Sequence, residues 1–251
     1  MQTEAIKDLL YRLADDKIIL GHRNSEWVGI GPVLEEDIAF ASMAQDEIGH
    51  AWSYFQLLEE LGETDPDTNA FMRPAEEYHC CHLVEYPIGD YAFSLVRHYL
   101  FDMADKVRLK HLSESSYKPL AELAYKIARE EKYHQMHARV FLEQLGKASQ
   151  ESNQKLQTAL NEVYPIAFGI FEPTVFSEVL AAERVQPLED TLMKEWRMEV
   201  ESFLRNCGLI VPPAGEVVEH FGGRTGHHTQ WLSPLLAEMT EVFAIDPHAK
   251  W

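Results

Sequence analysis

The sequence predicts an all-α protein built as a four-helix bundle with one long crossover and additional C-terminal helices. Three observations carry this expectation. Apolar residues recur at helical spacing through four long segments. Two of those segments contain an acid followed by Glu-x-x-His, at Asp46-Glu47-Ile48-Gly49-His50 and Glu130-Glu131-Lys132-Tyr133-His134. Gly and Pro are sparse and β-branched residues scattered, which favours helix.

The first helix is expected from near Thr3 as N-cap, with Glu4 in its first turn. Its stripe reads Ile6, Leu9, Leu13, Leu20, Asn24 and Trp27, with Asp16 inside it and Asp15 one position off. Gly29-Ile30-Gly31-Pro32 ends it. The second helix is expected over 34–61, with Phe40, Met43, Ala44, Glu47, His50, Ala51, Tyr54 and Leu58 facing inward. Gly62 and an acidic loop follow, then an irregular, aromatic-rich crossover over 70–87.

The third helix is expected over 89–112, with Ala92, Leu95, Tyr99, Asp102, Lys106 and Leu109 on one stripe. After a Ser-rich turn, the fourth runs over 118–145 through Leu120, Leu123, Ile127, Glu131, His134, Ala138 and Phe141, and Gly146 stops it. Helix–turn–helix, long crossover, helix–turn–helix is the connectivity of ferritin-like bundles. Residues 1–146 are therefore expected to form the bundle. Residues 147–251 are expected to pack on it as a helical extension, since no linker-like segment separates them. Within the extension, helices are expected over 154–171 (bent at Pro165), 174–184, 186–206 and 230–243, with a tail over 246–251.

Composition narrows the function. The 251 residues are 46% hydrophobic, enough for a sizeable core. The net charge of −19, with no basic patch, argues against nucleic acid and suits a cytoplasmic protein or one docking on a basic partner. Three cysteines without framework spacing fit a reducing compartment. The N-terminus lacks a basic n-region and an apolar h-region, so no signal peptide is expected. No apolar run approaches the ~20 residues of a membrane span.

Residues three apart share a helix face, so Glu47 aligns with His50 and Glu131 with His134. In bundles holding two metal ions, two helices each supply Glu-x-x-His and two others each supply a carboxylate. Thirty-one residues separate Asp16 from Glu47, and 29 separate Asp102 from Glu131. That is about the spacing at which facing residues of an antiparallel pair of ~20-residue helices sit at one level. The candidate ligands are therefore Asp16, Glu47, His50, Asp102, Glu131 and His134. Asp15 or Glu26 are alternatives to Asp16, and Asp105 to Asp102. This oxygen–nitrogen set suits two iron ions and also accepts manganese. Asp46 and Glu130 are candidates to orient the ligand imidazoles by hydrogen bonding; exposed acids are the equal alternative.

The plain alternative is ion pairing: Asp16 with Lys17 or Arg12, Asp102 with Lys106. Burying several carboxylates costs on the order of several kcal/mol each unless a cation sits among them. Lys106 is the one cationic side chain expected on a comparable stripe. His79-Cys80-Cys81-His82 reads as crossover, because adjacent cysteines rarely chelate one ion together. His227-His228 in a Gly-rich loop reads as a turn, with anion binding beside Arg224 as the alternative. No Ser-His-Asp order, Walker loop or dinucleotide fingerprint is present.

Several further stretches resemble the phenylacetate-catabolism family of ferritin-like proteins, in its epoxidase C-subunit branch. They are Arg12-Leu13-Ala14-Asp15-Asp16, Ser25-Glu26-Trp27, Val84-Glu85-Tyr86-Pro87 and Gly89-Asp90. The most specific is Gly222-Gly223-Arg224, Gly226-His227-His228-Thr229, then Leu232, Leu235-Leu236-Ala237-Glu238-Met239 and Trp251. The resemblance implies membership of a multicomponent complex that epoxidises the ring of phenylacetyl-CoA with dioxygen and reducing equivalents. It implies a partner, the A subunit, which holds the catalytic di-iron centre. In that family the C subunit is structural and can lose its metal ligands, whereas both Glu-x-x-His motifs stand here. An independent ferritin-like oxidase and a homodimer are the remaining alternatives, and no catalytic residue is assigned.

Overall fold

The computed structural model describes residues 1–215 and 217–247. The described residues are all-α, with short 3₁₀ turns and no strand, as a ferritin-like protein requires. The ten helices are α1 (Gln2–Ser25), α2 (Leu34–Glu60), α3 (Pro66–Phe71), α4 (His82–Glu85) and α5 (Tyr91–Leu112), then α6 (Lys118–Ala148), α7 (Gln150–Ala167), α8 (Ser177–Ala182), α9 (Glu189–Asn206) and α10 (Leu232–Thr240). None is long and apolar enough to cross a membrane.

By contact the chain divides into two compact units: Met1–Ile6 with Ile88–Phe221, and Lys7–Pro87 with Gly222–Trp251. One of the divisions thus falls between Pro87 and Ile88. The reason is packing. α5 touches α7 and α9 as well as α6, so the chain beyond 146 continues the core of the second helix pair. The C-terminal segment returns instead to the crossover, where α10 packs on α3. Trp251 and the last residues of the expected tail lie outside the described residues.

Local chemistry explains the helix ends. Glu35, Glu36 and Asp37 fill the first turn of α2, favoured by the helix dipole. Asp65 caps α3 ahead of Pro66. Asp90 caps α5 by accepting the Phe93 N–H at 2.8 Å. Ser149 and Ser152 form a reciprocal capping box at α7, which starts that helix four residues before the expected position.

α5 is buried on nearly every side and reads as a core helix. Trp196 of α9 sits fully buried against Tyr164, Phe168 and Phe171, its indole N–H donated to the Leu100 carbonyl at 3.0 Å. Arg108 of α5 forms a buried bidentate pair with Glu189 of α9, at 3.0 and 2.8 Å. After Pro165, which lacks a backbone N–H, the helix tightens into a 3₁₀ turn over Phe168–Phe171. Gly146 does not stop α6, which runs on to Ala148. A Cβ there would stand 2.5 Å from the Cys207 carbonyl oxygen, so the residue serves close approach.

Candidate metal centre

The pattern on α5 and α6 brings acids and imidazoles together. Asp102, Glu131 and His134 are all fully buried. Each offers a ligand atom, and these atoms lie within 4.8 Å of one another. The Glu131 carboxylate stands 3.3 Å from His134 Nδ1, one helical turn away. His98, one turn before Asp102 on α5, puts Nε2 at 3.2 Å from the Asp102 carboxylate. The His98 ring lies 5.8 Å from that of His134 and 6.0 Å from that of His137. The spacing rule that selects Glu131 and His134 also reaches His98, four before Asp102, and His137, three after His134. Reading each helix for acids alone misses them. Asp105 is buried too but is not part of this cluster.

Glu47 also stands among the buried candidate ligands. Glu47 is fully buried on α2, and Lys17 of α1 places its ammonium 2.8 Å from the Glu47 carboxylate. Lys17 is itself buried. Gly21 permits this close helix pairing, for a Cβ there would meet the Glu47 Cβ at 3.1 Å. His50 is buried one turn beyond Glu47. The ammonium beside a buried acid is thus that of Lys17 rather than Lys106. Lys106 is half-buried and pairs with Glu199.

Asp16, expected as a metal ligand, is instead held by an arginine. Both its oxygens accept from the Arg224 guanidinium at 2.8 Å, and one also accepts the Cys81 N–H at 2.8 Å. A bidentate arginine uses the lone pairs a metal would need. Asp15 is likewise held, by Arg73 and the His79 N–H, and Glu26 pairs with Arg23 at 2.7 Å. The same pairing removes Arg224 as an anion site. Asp46 is half-buried and Glu130 exposed.

The donor chemistry on α5 and α6 fits a metal ion. Two carboxylates and an imidazole, desolvated together, make a hard-to-borderline site without thiolate. On α1 the fit is poorer, because Arg224 already supplies positive charge to Asp16, whereas Glu47 on α2 keeps a ligand atom offered to an ion.

An all-α ferritin-like scaffold with a buried carboxylate–imidazole cluster defines the class. Within it, the chain belongs to the phenylacetic acid catabolic protein family, whose pattern it matches over residues 1–251. It is 34% identical over 241 residues to the C subunit of 1,2-phenylacetyl-CoA epoxidase from Escherichia coli (strain K12), covering 96% of each chain. It is 29% identical over 147 residues to the A subunit of the same organism's 1,2-phenylacetyl-CoA epoxidase, covering 59% of this chain and 47% of that one.

Proposed function

We propose that this chain is the C-type subunit of a multicomponent phenylacetyl-CoA epoxidase and that its partner is the A-type subunit. The observation carrying this is the match to the C subunit over 96% of both chains. The shorter match to the A subunit fits two proteins of one ancestry that pack as a pair.

Two exposed apolar stripes support a docking role. On α2, Leu34, Ile38, Ile48 and Trp52 are solvent-exposed and fall within one ~80° arc of a 3.6-residue helix. On α6, Tyr125, Tyr133, Met136 and Val140 do the same. Runs of large apolar side chains on a helix's outer face mark a surface that a partner covers.

Of the two iron ions expected from the six-residue pattern, a metal beside Asp102, Glu131 and His134 fits the donors, iron or manganese by donor type. Glu47 is a further candidate ligand, with the Lys17 ammonium 2.8 Å from its carboxylate. A bound metal of this kind supplies Lewis acidity and redox chemistry toward dioxygen. Asp102, Glu131 and His134 would hold it, and the apolar core around them would keep water away. Ring epoxidation then belongs to the A-type partner, and this chain acts chiefly by organising it. A cytoplasmic location suits this role and the three free cysteines.

The test is co-expression with an A-type subunit, gel filtration, and turnover of phenylacetyl-CoA with and without this chain. A stable complex and turnover dependent on it are expected. Separate elution of the two proteins overturns the reading. Fe(II)-dependent dioxygen uptake by the chain alone would instead favour an independent oxidase.

A further inference from the structure

A second cluster, on the crossover and the C-terminal loop, has no part in the role above. Cys80 Sγ, Glu85 Oε1 and His228 Nδ1 converge: Sγ lies 3.7 Å from Oε1 and 3.9 Å from Nδ1, and Nδ1 lies 2.7 Å from Oε1. Cys80 and Glu85 are fully buried, and the His228 side chain is 6% exposed. We propose that Cys80, Glu85 and His228 form a binding site for a zinc-type divalent cation.

Each prospective ligand is already aimed. His228 Nε2 lies 3.0 Å from the Tyr78 carbonyl oxygen, which can only accept, so Nε2 carries the proton and Nδ1 turns toward the cluster. A carbonyl on the far nitrogen is the usual way a ligand imidazole is fixed. Glu85 Oε2 accepts the Thr229 N–H at 2.7 Å, leaving Oε1 toward the cluster. The loop can reach because Gly223 and Gly226 lack side chains. A Cβ at either would collide with a crossover carbonyl, of Cys80 or of Glu76.

The dimensions fit. With bonds of ~2.3 Å to sulfur and ~2.0 Å to nitrogen and oxygen, ligand atoms on a tetrahedral zinc stand about 3.3–3.6 Å apart. The three distances are within several tenths of an ångström of that. A sulfur–nitrogen–oxygen set is borderline-soft, suits zinc, and leaves a fourth position for water. Burial holds the Cys80 thiol well above its ordinary range, with Glu85 adding to the effect. Entry of the ion therefore releases the thiol proton to solvent. In the sequence, adjacent cysteines argue for plain crossover. The fold separates them: Cys80 joins this cluster, while the Cys81 N–H binds Asp16.

The test uses the full-length chain, stripped with chelator and titrated with Co²⁺ as a coloured zinc substitute. One equivalent should give thiolate-to-cobalt charge-transfer absorption, displaced by Zn²⁺. Cys80→Ser and His228→Ala should each abolish that band, while Glu131→Gln keeps it. Circular dichroism confirms that the variants are folded, and Cys80→Ser, the smallest change, remains decisive if His228→Ala is not. Absence of the band in the wild-type chain overturns the proposal, as does its persistence in Cys80→Ser.

Discussion

The Glu-x-x-His of α2 and the Glu-x-x-His of α6 are the same pattern in different company. On α2, the buried Glu47 meets a lysine ammonium at 2.8 Å. On α6, the buried Glu131 shares its surroundings with Asp102, His134 and, through Asp102, His98. The motif spacing guarantees only that an acid and an imidazole share a helix face. The neighbouring helix decides which charge each buried acid meets. α1 supplies Lys17 in one case, and α5 supplies a second acid in the other.

The sharpest way to break this comparison is metal content. Glu131→Gln should reduce tightly held iron or manganese to background, whereas Asp16→Asn should leave it unchanged. Elemental analysis after desalting decides it, and equal losses would mean that the two units do not differ as described.

The next effect is on stability. Lys17→Met removes the ammonium beside a buried carboxylate and should cost about 3–5 kcal/mol in urea unfolding. The double variant Lys17→Met/Glu47→Gln should recover most of that loss, since the buried charge goes with its partner. No recovery would show that Lys17 matters for packing rather than for charge.

Gly146→Ala tests the α6 side without touching the cluster. Its Cβ would enter the space of the Cys207 carbonyl and should cost about 1–3 kcal/mol. The smallest effect concerns reactivity alone. Burial pushes the Cys207 thiol up to about 11, so the thiolate appears only as pH rises toward that value. Alkylation of Cys207 at pH 8 should run about a hundredfold slower than for a free thiol, and accelerate with pH.

Much of the architecture is legible in the sequence. α1, α2, α5 and α6 lie within a few residues of their expected places, because each has a strong apolar stripe and clear end signals. Asp102, Glu131 and His134 follow from facing positions on two helices joined by a short turn. Asp16 does not, because its partner Arg224 lies 208 residues away. Lys17 stands beside Asp16 in the chain, so the sequence points to that acid as its partner rather than to Glu47. The link between Cys80 and His228 spans 148 residues and leaves no local spacing to read.

The sequence by itself determined the helices, their apolar faces and which polar side chains those faces carry inward. Periodicity is a local property, and a helix obeys it wherever it packs. Only the tertiary structure decided which charge meets which. Counter-charges come from segments distant in the chain, and desolvation makes each buried acid depend on the one cation or ligand the fold delivers to it.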